Sequence, residues 1–335
     1  MKIAMISSPF DQTSYDGNET GYVVYLLIDE LVKRGFEVTV FATSDAETTG
    51  RLHPLFDRPL NKKDHMQSAF HTGAFYECIQ NSFDIIHNHN WFAAGLATFL
   101  NTPVVSTLHN TTSYKDYFKG TYQLFPKLKY VAVSKAQQEM LKSEGLNIIN
   151  CQYYGIPTEQ YLFSEKQGDY LAYYGNVDYN YGIHIAIKVS KRVGIPLKIG
   201  GPFDRDYFRQ TITPYIQTGN IEYVGELDRF SRQNFIAGAV ASIYPVLFDE
   251  PFSLPFIESM ACGTPVISFQ TSFANEAISH GQTGFIVDNT NEMIEAIDKI
   301  SSIQRSSCRY FVKQHFDIEQ MVDGYVKIYS EIKNS

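Results

Sequence analysis

Glu250 and Glu258 are separated by seven residues in the stretch Glu250-Pro251-Phe252-Ser253-Leu254-Pro255-Phe256-Ile257-Glu258-Ser259-Met260-Ala261-Cys262-Gly263-Thr264-Pro265-Val266-Ile267. A carboxylate accepts two hydrogen bonds from a vicinal diol, and its charge makes them stronger than bonds between neutral groups. Pro255 suits the first turn of a helix, where an N–H has no partner anyway, and Gly263 suits the position just past its end; Val266-Ile267 then resume an apolar strand. Glu250 is therefore expected in the loop before a helix, Glu258 in its first turns. The N–H groups of Phe252, Ser253 and Leu254 would open that helix, and such amides attract phosphate. A hydroxyl-rich, doubly phosphorylated ligand would satisfy carboxylates and amides together. The plainer alternative is that Glu258 complements the helix dipole and Glu250 is a solvated loop charge, each worth ~0.3–1 kcal/mol.

Other polar side chains fall at the ends of predicted strands. His109 closes the run Pro103 to His109 and should point into a crevice at the strand ends; a histidine hydrogen-bonded in a strand-end turn is the alternative. His87 and His89 alternate as metal ligands can, but no third ligand accompanies them, so packing or acceptor contact is the expectation and no metal is assigned.

The elements that must position these residues alternate along the chain. Met1 to Ser7 reads as a buried strand, Tyr22 to Arg34 as a helix ending at Gly35, and Phe36 to Ala42 as a second strand, which implies a right-handed parallel crossover. Phe83 to His87 (strand), Trp91 to Leu100 (helix), Pro103 to His109 and Tyr130 to Ser134 (strands) continue it. A second set begins near Tyr170: strands over Leu171 to Gly175, Leu197 to Gly200, Ile221 to Val224 and Ser242 to Pro245, with helices over Gly182 to Val193 and Arg232 to Ala239. Two parallel α/β sheets in tandem follow. The boundary is expected at Gly155-Ile156-Pro157, giving domains 1–155 and 156–309 and a helical segment 310–335 that follows no strand and would pack outside the second sheet. Two such sheets facing each other would place both sets of strand C-termini on a shared crevice, the usual ligand position in this fold class.

Composition closes off several functions. With 335 residues, 44% hydrophobic and 19% charged, the chain suits two globular domains rather than disorder. A net charge of -8 gives no basic field for nucleic acid. Cys78, Cys151, Cys262 and Cys308 form no Cys-x-x-Cys pair, which argues against a disulfide framework or a zinc site. No segment reaches the ~18–20 apolar residues of a membrane span, and the opening apolar run is too short for a signal peptide, so a cytoplasmic location is expected.

Taken in order, the motifs resemble those of retaining glycosyltransferases of GT-B architecture, family 4 (glycosyltransferase group 1). The resemblance runs over nearly the whole chain. It is carried by the Glu-x7-Glu block with Met260-Ala261-Cys262-Gly263-Thr264-Pro265, together with Asp84-Ile85-Ile86-His87-Asn88-His89, Thr102 to His109, Val131-Ala132-Val133-Ser134 and Gly281-Gln282-Thr283-Gly284-Phe285-Ile286-Val287. It implies two Rossmann-like domains facing an inter-domain cleft, with acceptor contacts in the first domain and the nucleotide sugar in the second. It also implies that Glu250 bonds hydroxyls of a donor sugar, Glu258 grips the ribose 2′ and 3′ hydroxyls, and His109 lies close to the reacting sugar. No metal or other cofactor is implied. Gly225-Glu226-Leu227 would border the nucleotide base.

The sequence departs from that pattern where phosphates should bind. Gly-Arg and a following Lys-Gly usually open the second domain; here the run is Gly175-Asn176-Val177-Asp178-Tyr179-Asn180-Tyr181-Gly182. The paired glycines of the first domain are replaced in Asp16-Gly17-Asn18-Glu19-Thr20-Gly21, which leaves Gly17 as the phosphate-loop candidate. Ser253 stands for a glycine. Neutral donors Asn176 and Tyr181, and the cations Lys198 and Arg205, are the candidates to make up the loss; removing one stabilising donor costs ~2.7–4 kcal/mol at a transition state.

Tyr153-Tyr154, Tyr173-Tyr174 and Tyr179 to Tyr181 cluster near the boundary, and aromatic faces stack on sugar rings, which suits a glycan acceptor. Lys115, Lys119, Lys127 and Lys129 interleave with aromatics and read as an acceptor loop, with contact to a membrane carrying a lipid-linked acceptor as the other possibility. The expected function is transfer of a hexose, with retention, from a nucleotide diphosphate sugar, a UDP-sugar first, to a glycan or small-molecule hydroxyl. The alternatives are a non-catalytic relative that binds a nucleotide or glycan, and a sugar-nucleotide epimerase of the same architecture.

Overall fold

The computed structural model describes residues 1–60, 66–89, 94–109, 124–216 and 220–334. It divides into two compact units, residues 1–156 with 318–335, and residues 157–317.

The first unit holds seven strands: β1 (Lys2–Ile6), β2 (Glu37–Thr43), β3 (Arg51–Phe56), β4 (Ile85–Asn88), β5 (Val104–Leu108), β6 (Lys129–Ala132) and β7 (Ile148–Cys151). All neighbours pair in parallel in the order β3-β2-β1-β4-β5-β6-β7. The central strands are buried along most of their length, as parallel strands covered on both faces must be. Helix α1 (Glu19–Lys33) starts where the Asn18 side chain accepts from the Gly21 N–H, and α3 (Lys135–Ser143) where Ser134 does the same for Gln137. Between them lies α2 (Gln67–Gln80). Strands β3 and β7 and helices α2 and α3 were not expected from periodicity; the half-exposed edge strand β3, with a proline inside it, carries no clear alternation. The helix expected from Trp91 is a 3₁₀ segment, Ala94–Phe99, and residues 90–93 lie outside the described ones.

The second unit has six parallel strands: β8 (Leu171–Tyr174), β9 (Leu197–Gly200), β10 (Ile221–Gly225), β11 (Ala241–Tyr244), β12 (Val266–Phe269) and β13 (Gly284–Val287), in the order β10-β9-β8-β11-β12-β13. Its longer helices are α4 (Ile183–Val193), α5 (Arg229–Ala237), α6 (Leu254–Ala261), α7 (Thr290–Lys299) and α8 (Arg305–His315).

The C-terminal stretch is divided where a single helical segment was expected. Helix α8 belongs to the second unit, whereas α9 (Ile318–Lys333) belongs to the first and not to the outside of the second sheet. The chain crosses back beside its first crossing, where the Ile318 N–H donates to the Ile156 carbonyl at 2.9 Å. Helix α9 buries Met321, Val322, Tyr325, Ile328, Tyr329 and Ile332 on one side, and Arg34, which caps the end of α1, pairs with Glu319 and, at 2.6 Å, with Asp323. Its apolar stripe therefore completes the first core.

Candidate functional site

In the second unit, β8 and β11 are sheet neighbours although not consecutive in sequence, so the order reverses between them. That is where ligands bind in open α/β sheets. The loops leaving these strands, 175–182 and 245–253, are joined by a bond from the Leu247 N–H to the Asn180 carbonyl at 2.8 Å. Gly182 begins α4 with φ +70°, and a Cβ there would lie 2.0 Å from the Pro245 oxygen. Only glycine permits that approach. The loop after β9 joins the same rim: the Val177 N–H donates to Pro202 at 2.8 Å, and the Asp204 N–H to Val177 at 3.1 Å. Beside it a cleft of about 300 Å³ is bordered by residues 246–249, 269–271 and Asp288.

Glu250 sits among these loops. Its carboxyl is hydrogen-bonded by the side chains of Tyr181 and Ser253, and Asn176 Nδ2 donates to the Tyr181 oxygen at 3.3 Å. Ser253 stands at the N-cap of α6 without capping it, because its hydroxyl serves Glu250 instead. Burial pushes the Glu250 carboxyl up to about 7, the two hydrogen bonds oppose that rise, and the Asp178 charge adds to it. Four sequence candidates, Asn176, Tyr181, Glu250 and Ser253, thus form one connected group.

Glu258 lies one turn into α6, as expected, but is only 1% exposed. Its Oε1 accepts from Arg229 Nη1 at 2.6 Å and from the Tyr161 hydroxyl at 2.9 Å, and Arg232 Nη1 lies 3.3 Å from Oε2. Arg229 is itself 1% exposed, and the Arg232 guanidinium stacks over Tyr174 at 4.8 Å. The carboxylate is enclosed by two arginines and a tyrosine, which fix it at the wall of the site. Arg229, Arg232 and Tyr161 escaped sequence reasoning because nothing local marks a partner 29, 26 or 97 residues away.

The remaining candidates divide. Phe252 and Leu254 are buried, and the Phe252 ring packs on Phe273 at 4.3 Å, so its side chain anchors the loop in the core. Lys198 lies on β9, where it pairs with Glu222 at 3.4 Å and lies 4.5 Å above the Tyr170 ring. Arg205 is exposed and begins the short helix after Asp204, on the rim joined to Val177. Gly225 (φ +87°) ends β10, Glu226 is exposed, and the Leu227 carbonyl accepts from the Tyr174 hydroxyl at 2.9 Å. Tyr154, Tyr173 and Tyr174 are buried, which removes them as sugar-stacking faces, whereas Tyr179 is 62% exposed and stacks on His184. Lys115 and Lys119 lie outside the described residues.

In the first unit Gly17 precedes α1, where a Cβ would meet the Gln12 oxygen at 2.5 Å; Asn18 is occupied as the N-cap. His109, at the end of β5, is partly exposed, with Nδ1 2.6 Å from the Tyr154 hydroxyl and Nε2 3.0 Å from His89 Nδ1. His87 contacts Tyr329 at 2.7 Å and Thr107 at 2.8 Å, and Thr107 contacts Tyr325 at 3.0 Å. Burial holds His87 and His109 down to about 3 and keeps His89 well below the usual range, so all three are neutral near pH 7.

The fold and the strand-end site together define a GT-B protein. Solved structures share the fold over the whole chain: sucrose-phosphate synthase from Thermosynechococcus elongatus aligns with TM-score 0.81 at 18% identity over 99% of each chain. Anabaena HepE, solved with UDP and glucose, aligns with TM-score 0.78 at 16% identity over 98% of this chain and 99% of that one. Residues 159–316 match the family model "Glycosyl transferases group 1", and residues 20–160 match "Glycosyltransferase Family 4". The chain belongs to glycosyltransferase family 4, the group 1 glycosyl transferases. Among curated relatives, glycogen synthase of Mycobacterium tuberculosis is 25% identical over 230 residues, which cover 60% of this chain and 55% of the synthase. The chain thus spans about half the length of that relative.

Proposed function

We propose that this chain takes a nucleotide diphosphate sugar, a UDP-sugar first, and passes its hexose with retention to a hydroxyl of a glycan or small molecule. The observation that carries the reading is Glu250, held by Tyr181 and Ser253 where the β8 and β11 loops meet, in a chain of family 4. Family membership supports retention, and the UDP and glucose bound to Anabaena HepE support the choice of donor. Glu250 would accept hydrogen bonds from sugar hydroxyls, Asn176 would donate to phosphate oxygens, and Arg205 would supply positive charge from the rim. Gly225 to Leu227 would border the base. His109 would lie close to the reacting sugar. A donor phosphate oxygen would take the acceptor proton while the anomeric bond to phosphate breaks and the new glycosidic bond forms on the same face. No metal is part of this reading, so EDTA is expected to leave turnover intact.

Calorimetric binding of UDP-, GDP- and ADP-glucose to the wild-type chain and to Glu250→Ala tests it before any acceptor is known. One nucleotide class should bind, and the substitution should weaken the sugar nucleotide more than the free nucleotide. Absence of binding by all three would overturn the proposal. Asn176 and Tyr181, standing where the resemblance puts Arg and Lys, favour a second reading, a non-catalytic binder. Turnover that arises only after Asn176→Arg with Tyr181→Lys would establish that reading instead.

A further inference from the structure

The contacts around His109 form a chain whose direction can be derived. Tyr154 Oη lies 2.6 Å from His109 Nδ1, His109 Nε2 lies 3.0 Å from His89 Nδ1, and His89 Nε2 lies 2.9 Å from Met5 Sδ. Each contact needs one hydrogen, and a neutral imidazole carries one. A thioether can only accept. If the last contact is satisfied, His89 is protonated on Nε2 and its Nδ1 accepts. His109 must then carry its hydrogen on Nε2 and accept on Nδ1, which leaves Tyr154 as the donor. Met5 is fully buried on β1, Tyr154 is 3% exposed and His89 5%, so solvent does not compete for these positions.

We propose that Tyr154 and His89 are positioning residues that hold His109 as its Nε2–H tautomer, with the Met5 sulfur setting the direction of the chain. Both ring nitrogens of His109 then face protein, so the imidazole is neither a general base nor a general acid. What remains for a ligand is the carbon edge of the ring and the main chain, an apolar contact of the kind that suits the C–H face of a pyranose. The catalytic consequence rests on the transferase reading above; the tautomer assignment does not.

Long-range ¹H–¹⁵N correlation on the full chain labelled with ¹⁵N-histidine tests it. His109 and His89 should both be protonated on Nε2, and neither should titrate between pH 8 and pH 5. In Tyr154→Phe the His109 Nδ1 loses its donor, and a mixture of tautomers or a titration in that range should emerge. Met5→Leu, nearly isosteric, should release the tautomer of His89 and serves as the second variant. A wild-type His109 protonated on Nδ1, or one unchanged in both variants, would overturn the proposal. With a working donor and acceptor, Tyr154→Phe should lower kcat by up to about 100-fold with little change in KM, as expected for a misplaced group. An equal loss in KM alone would count against positioning. The predicted tautomers in a wild-type chain that turns over no donor would refute the transferase reading and leave the chain assignment standing.

Discussion

The two glutamates of one motif end in opposite electrostatic circumstances. Glu250 has neutral hydrogen-bonding partners and a carboxyl lifted to about 7; Glu258 has two guanidinium groups and almost no exposure. For Glu250 the folded pKa lies above the unfolded value near 4.5, so folding takes up a proton between those limits. Its contribution is most favourable below about pH 4.5 and is lost as pH rises to about 7. Glu250→Gln should therefore gain stability over wild type at pH 8 relative to pH 4, read from urea midpoints. If the ionised form accepts from sugar hydroxyls, sugar-nucleotide affinity in the wild type should rise with pH through about 7 and be flat in Glu250→Gln. For Glu258, substitution by Gln leaves the Arg229 charge buried without a counter-charge, at an expected cost of ~3–5 kcal/mol. A lower urea midpoint is predicted. A ribose ligand at that position would instead show lost nucleotide affinity at an unchanged midpoint.

At the scale of elements, close backbone approach and one returning helix decide the site. Gly182 lets the start of α4 pass the Pro245 carbonyl, and the same pair of loops carries Tyr181 and Glu250. Gly182→Ala meets both a positive φ and a 2.0 Å contact, so it should destabilise the second unit by more than the ~1–3 kcal/mol of a strained φ/ψ alone; thermal denaturation measures it. Helix α9 contributes Tyr325 and Tyr329 to polar groups under β4 and β5. Tyr329→Phe removes the partner of His87 Nδ1 inside the core, at an expected ~1–3 kcal/mol in urea unfolding. This helix was legible as a helix, since its 3.6-residue apolar stripe is strong, but its destination was not. A stripe states that a face must be buried without stating against what.

For the whole molecule, the chain builds one unit, completes a second, and returns to finish the first. The buried histidines His71, His87 and His89 and the partly exposed His109, all held neutral by desolvation, lie in the first unit. Their folded pKa values lie below the unfolded value near 6.5, so below that pH the unfolded chain binds protons that the folded unit refuses. Stability is complete above about pH 6.5 and declines as pH falls toward about 3. The first unit should therefore melt before the second as pH is lowered from 7 to 4, and scanning calorimetry should resolve a widening gap between the two transitions.

The amino-acid order alone determined the tandem parallel α/β plan, the family and the loop-helix-strand context of Glu250 and Glu258, because each rests on local spacing: strand period, crossover length, Pro255 and Gly263 at the helix ends. Only the tertiary structure decided which charges those residues meet. Arg229 against Glu258, Lys198 against Glu222, Tyr154 and His89 against His109, and α9 against the first sheet are contacts between positions that only folding brings within a few ångströms. Hydrogen bonds and ion pairs act over that range alone. A residue's chemistry could thus be named from its type and place in a motif, while its availability to a ligand depended on neighbours that the motif does not contain.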